Sequence, residues 1–185
     1  MTERTSDSTG RSRPVDSFLA RLRGLVYWVA VSIFVATVTS LFAAIFVNVV
    51  LRYIFEQGIA WAYEIPAILF PWSVASAVVI ATVFGRNIQV ALLINLLSAT
   101  PRRIVGMIVQ LSMILVSIGV IWTSGPILNS SQYTRLAETG ITQIYGVSSL
   151  IYCFAMIAII ATIDLVHLVR GAGYLEVDDA EAKFS

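Results

Sequence analysis

Asn48, Arg52, Trp61 and Glu64 are the residues of this sequence whose types and spacing come nearest to a chemical site. They lie in "NVVLRYIFEQGIAWAYEIPAILFPW", residues 48 to 72, where one apolar run stops at Arg52 and another resumes around Trp61. Helical residues three or four apart share a face. Asn48 with Arg52, and Trp61 with Glu64, therefore form two small clusters on either side of a short turn. The turn brings the two helix ends together, so the Arg52 guanidinium is expected within reach of the Glu64 carboxylate. The chemistry open to such a group is ion pairing or contact with a partner. Catalysis is not, because one carboxylate beside one arginine lacks the second acid, the nucleophile or the metal ligands from which hydrolysis or group transfer is assembled. The competing reading is that both charges only reach out to water from their helix ends.

Two other candidates carry less. Asp164 and His167, three apart, resemble a proton relay, but Arg170 follows closely at the end of an apolar run and favours an interfacial charge cluster instead. Cys153 is the single cysteine, set in "LIYCFAMIAII", which excludes an intrachain disulfide, a CxxC redox pair and a thiolate metal cluster. His167 is the single histidine, too few for a bis-histidine haem. No cofactor, no metal and no enzymatic activity are expected.

These residues sit in an unusually apolar chain. Its 185 residues are 58% hydrophobic and only 12% charged, with a mean hydropathy of +0.85, which places it among membrane proteins. A net charge of +1 without any basic stripe argues against nucleic acid as a partner.

A helix needs about 20 apolar residues to cross a hydrocarbon core of roughly 30 Å. Four runs free of charge, between Arg23 and Arg52, Glu64 and Arg86, Arg103 and Arg135, and Glu138 and Asp164, come up to about that length and predict spans at about 25–51, 62–85, 104–130 and 144–168, within a membrane domain of residues 17–170. Pro66 falls in the first turn of the second span, and Pro71, further in, is expected to bend it. Residues 1–16 are polar and Ser/Thr-rich and are expected as a mobile cytoplasmic tail. Residues 171–185, with Glu176, Asp178, Asp179 and Glu181, are expected as an acidic cytoplasmic tail.

The remaining apolar run, 87–100, is too short to cross. Asn87, Ala91, Asn95 and Ser98 form a narrow polar stripe on a helical wheel, with Ile88, Val90 and the leucines around it. The pattern predicts an amphipathic arm helix at the membrane surface or along a partner, ended by Pro101. The fold class expected is thus an all-α membrane protein, four transmembrane helices with an interfacial arm between the second and third. Orientation follows from the basic residues. Arg4, Arg11, Arg13, Arg21, Arg23, Arg86, Arg102, Arg103, Arg170 and Lys183 lie on one side, and only Arg52 and Arg135 on the other, predicting that both termini face the cytoplasm.

The segment 48–72, with Asn48, Arg52 and Tyr53 ahead of Trp61 and Glu64 and then Trp72, followed by "GRNIQVALLINLL" and a proline with arginines, resembles the small membrane subunit of tripartite ATP-independent periplasmic (TRAP) transporters, the DctQ type. The similarity covers roughly residues 25–170. Asn87 departs from it, since family members often carry a histidine there, and "SVASAVV" stands where a glycine-rich middle of span two is common. The resemblance implies a small permease subunit of the bacterial inner membrane with two partners. One is a large membrane subunit that takes up a small organic acid by sodium symport. The other is a periplasmic binding protein that delivers it. This chain would be the stationary scaffold, with Asn48, Arg52, Trp61, Glu64 and Trp72 as an interface or structural group. The alternative is a self-assembling four-span channel or small transporter, for which no polar stripe of sufficient length is available.

Overall fold

A computed structural model describes residues 14–56, 58–94 and 99–170. Among them the chain is all-α: α1 is Pro14–Phe55, α2 Ile65–Ile94, α3 Ala99–Thr123, α4 Gly125–Ser131 and α5 Ile144–Arg170, with a 3₁₀ turn at Ala60–Tyr63 before α2. Four stretches are long and apolar enough to cross a membrane, Ser17–Phe55, Ala60–Phe84, Ile104–Ser131 and Ile144–Val169. The expected tails, 1–16 and 171–185, lie almost wholly outside the described residues, apart from Pro14, Val15 and Asp16, which already belong to α1.

Proline sets the helix boundaries. Pro14 opens α1, and Pro101 sits in the first turn of α3, where the missing N–H has no intrahelical partner to lose. Pro126 cannot be placed mid-helix without cost, and the third span is accordingly divided, α3 stopping at Thr123 and α4 restarting with Pro126 in its first turn. The backbone bonds Ser124 N to Val120 O at 2.9 Å and Leu128 N to Ser124 O at 3.0 Å, so the break costs little alignment.

The arm differs from expectation. The helical backbone of α2 runs without interruption through Asn87, Ile88 and Val90 to Ile94, so these residues continue the same helix beyond the apolar span, which ends at Phe84, instead of opening a helix of their own. Gly85 alone, at about 1 kcal/mol relative to alanine, is too weak a breaker to separate them. Asn95, the fourth residue assigned to the arm, lies outside the described residues.

The helices form an open row. α1 packs on α2, α2 on α5 and α5 on α3, while α1 and α3 have no packed contact with each other among the described residues. Between them, over α5, lies a cleft of about 320 Å³ bordered by Leu19, Leu22, Ile118 and Thr162. The core follows from helical spacing: Val26 and Ala30 of α1, Ala75, Val79 and Val83 of α2, and Cys153, Ile157 and Ile160 of α5. α2 and α5 bury a substantial share of their span, and α1 and α3 very little. Near the start of α1, the Arg23 guanidinium donates to the Val83 carbonyl and ties α1 to α2. Asp164, expected in an interfacial cluster with His167, is instead only 3% exposed, and it does not lack a partner. His167 is partly exposed. The reason is helical phase: Asp164 lies beside the buried Ile160, Ile163 and Leu168 on the packed face of α5.

Candidate functional site

Asn48, Arg52, Trp61 and Glu64 lie at the opposite end from Arg23, where the α1–α2 turn meets the α4–α5 connection. α1 ends at Phe55, and Glu56 reverses the chain with φ of 55°, the left-handed conformation that closes many helices and that a non-glycine residue adopts at a cost. Asn48, one turn and more back along α1, is 5% exposed. Its Oδ1 accepts the Ile59 N–H at 2.8 Å. A buried amide thus satisfies the first donor beyond the turn and fixes where the chain re-enters the membrane layer. Gly58 passes close by, an added Cβ lying 3.5 Å from the same Oδ1.

From Ile59 the chain tightens through successive backbone bonds, Ala62 N to Ile59 O at 3.1 Å, Glu64 N to Trp61 O at 3.1 Å and Ala67 N to Glu64 O at 3.0 Å. This turn aims the Glu64 side chain across the molecule. Its Oε1 accepts the Glu138 N–H at 2.8 Å, and its Oε2 accepts both the Thr139 N–H and the Thr139 hydroxyl, each at 2.8 Å. The receiving segment is a small hairpin, with Gln143 N bonded to Thr134 O at 2.9 Å, Leu136 N to Ile141 O at 2.9 Å and Gly140 N to Leu136 O at 3.0 Å. Gly140 supplies the φ of 64° that the turn requires.

The expected Arg52–Glu64 pair is therefore replaced by another partner. Arg52 is exposed in the last turn of α1, and among the described residues it makes no ion pair with Glu64. Two backbone amides and a hydroxyl, presented by a hairpin more than seventy positions away, donate to the carboxylate instead. Arg52 has the ordinary attraction of a cation to a helix C-terminus. Asn48 and Arg52, four apart, differ in role, one buried and one exposed.

Trp72 and Trp61 also part company. Trp61 is 48% exposed, as expected of a membrane-interface anchor. Trp72 points inward across the α2–α5 interface: its Nε1–H donates to the Tyr145 carbonyl at 2.7 Å, and its ring lies 5.4 Å from that of Tyr152. The residue just before Trp72, Pro71, has no N–H to give to the Ala67 carbonyl four residues earlier. Gly146 of α5 comes close to that carbonyl, near enough that an added Cβ would sit 3.0 Å from Ala67 O. Approach of a glycine Cα–H to a carbonyl is a recognised weak contact at close helix crossings. Thr139, Tyr145 and Gly146 went unmarked in the sequence. "ETG" at 138–140 is the turn signal that pointed to the first, whereas a lone glycine at a helix start gives little warning of a helix crossing.

Chemically, this end is a set of hydrogen-bonded latches. Both oxygens of the Glu64 carboxylate are engaged by the hairpin, and the described residues include no group of three or more His, Cys, Asp or Glu able to hold a metal. Residues 41–171, from the middle of α1 past the end of α5, match the family model described as tripartite ATP-independent periplasmic transporters, DctQ component. No curated protein matches the chain.

Proposed function

Because this chain belongs to the DctQ family of tripartite ATP-independent periplasmic transporters, we propose that it is the stationary scaffold subunit of such a transporter. In this reading it holds a large sodium-coupled permease subunit that imports a small organic acid, and a periplasmic binding protein delivers that acid. The chain is a multi-pass membrane protein. As membership of that family implies, it lies in the bacterial inner membrane; on the charge count above both termini are in the cytoplasm, so that the latch end faces the periplasm.

The observation that supports the scaffold role is the open row of helices. A subunit that transported alone would need to enclose a path between its helices; here α1 and α3 stand apart and present faces of Phe42, Ile45, Phe46 and Val49, and of Ile108, Leu115 and Ile118. Such faces suit lipid or a neighbouring apolar subunit, and they carry no polar stripe for a pore. The test is affinity purification of the tagged chain from its native membrane in mild detergent. Co-purification of one large polytopic membrane protein in fixed ratio is expected. A homo-oligomer without such a partner would replace this reading with a self-assembling channel.

A further inference from the structure

We infer that Glu64 is a positioning residue for docking of the soluble binding protein, acting through the hairpin at 134–143; this rests on the scaffold reading above. The hairpin is the longest non-helical segment described at the latch end. It presents Tyr133, 82% exposed, with Arg135 and Glu138, both exposed and unpaired among the described residues. Tyrosine and arginine are the residue types most often found at the energetic centre of protein interfaces, and a mixed pair of charges selects a partner surface of complementary pattern.

The geometry links this face to Glu64 at a single residue. Glu138 donates its backbone N–H inward to Oε1 while its own side chain stays exposed. Thr139 adds two more bonds to Oε2. The carboxylate, rooted at the start of α2, therefore fixes where Glu138, and through the Arg135–Thr142 bridge also Arg135, stands above the membrane. Without it, the tip of the hairpin is held only by its own three cross-bonds, and small hairpins are marginal alone. Docking then requires ordering the loop as well as forming the contact, which weakens it.

The test uses the complete transporter, both membrane subunits reconstituted in liposomes, with uptake measured against the concentration of added binding protein. For Glu64→Ala the half-saturating concentration should rise on the order of tenfold, with the rate at saturation within about twofold of wild type, co-purification of the large subunit intact and amide hydrogen exchange at 138 and 139 accelerated. Glu64→Gln, which keeps one acceptor oxygen, should fall between. Should Glu64→Ala fold poorly, Arg135→Ala with Glu138→Ala leaves the latch intact and should raise the half-saturating concentration without changing exchange at 139. An unchanged half-saturating concentration in the face of faster exchange would overturn the inference, as would loss of the large subunit from Glu64→Ala, which would make the latch an assembly device. If wild-type uptake proved independent of the binding protein, the scaffold reading itself would fall, and the inference with it.

Discussion

The interface of α2 with α5 and the outward faces of α1 and α3 are built on opposite rules. At the α2–α5 interface small and hydrogen-bonding side chains stand among the buried Val79, Ile157 and Ile160: Gly146 against the Ala67 carbonyl, Trp72 on Tyr145, and the buried Ala75, Ser76, Ser149 and Cys153. On α1 and α3 they are large, apolar and exposed, with Phe42 and Phe46 stacked at 6.0 Å on open surface. Within a bilayer the second kind gives little drive to internal packing, because lipid tails solvate it as well as protein does. Close approach and hydrogen bonds such as that of Trp72 to the Tyr145 carbonyl hold the chain together, and the apolar faces are left for its surroundings.

That contrast is open to breakage, first at the helix crossing. Gly146→Leu should cost about 3 kcal/mol or more by overpacking against backbone, read as loss of monodisperse protein in detergent or a large fall in Tm, whereas Gly119→Leu on α3, with nothing within 4 Å, should leave Tm nearly unchanged. Equal losses at the two glycines would remove the distinction. Asn48→Ala comes next: stranding the buried Ile59 N–H should lower stability by about 1–2 kcal/mol, measured by steric trapping or mild denaturant titration. Trp72→Phe keeps the ring and removes one hydrogen bond, for about 1 kcal/mol. Phe42→Ala should cost the isolated chain less than about 0.5 kcal/mol, having no buried contact to lose; if it also reduces co-purification of the large subunit, the α1 face is the covered one. The smallest effect concerns Arg52 and Glu64. Because the structure gives the carboxylate another partner, Arg52→Ala and Glu64→Ala should be additive in a double-mutant cycle, and a clear coupling would show that the two charges meet.

The spans were legible because charge is a strong signal in so apolar a chain: runs bounded by Arg23 and Arg52, or by Glu64 and Arg86, delimit helices almost by themselves. Asn48 and Glu64 were legible as residues of interest for the same reason. Their partners were not. Asn48 reaches a backbone N–H and Glu64 a hairpin distant in sequence, and neither donor has a side-chain type that marks it. Two other readings stand differently in the structure. The polar stripe at 87–98 suggested a separate helix where the backbone of α2 simply continues to Ile94. The proximity of Asp164 to the end of its span suggested exposure, although its phase on α5 buries it. Length and composition fix where a helix is; which way a given residue faces depends on neighbours that belong to other parts of the chain.

The open row has a consequence for how the protein is made. α1 with α2, and α3 and α4 with α5, are two pairs of neighbours in sequence, and each can insert as the ribosome delivers it. The one extensive contact between the pairs is α2 on α5, so the two halves behave as separately inserted cassettes. Two co-expressed fragments cut between Ile94 and Ala99 should find each other in the membrane and restore full-length behaviour, with Gly146→Leu abolishing the reunion. Failure of the unmutated halves to associate would mean that the covalent connection, and not the chemistry of the α2–α5 contact, brings the halves together.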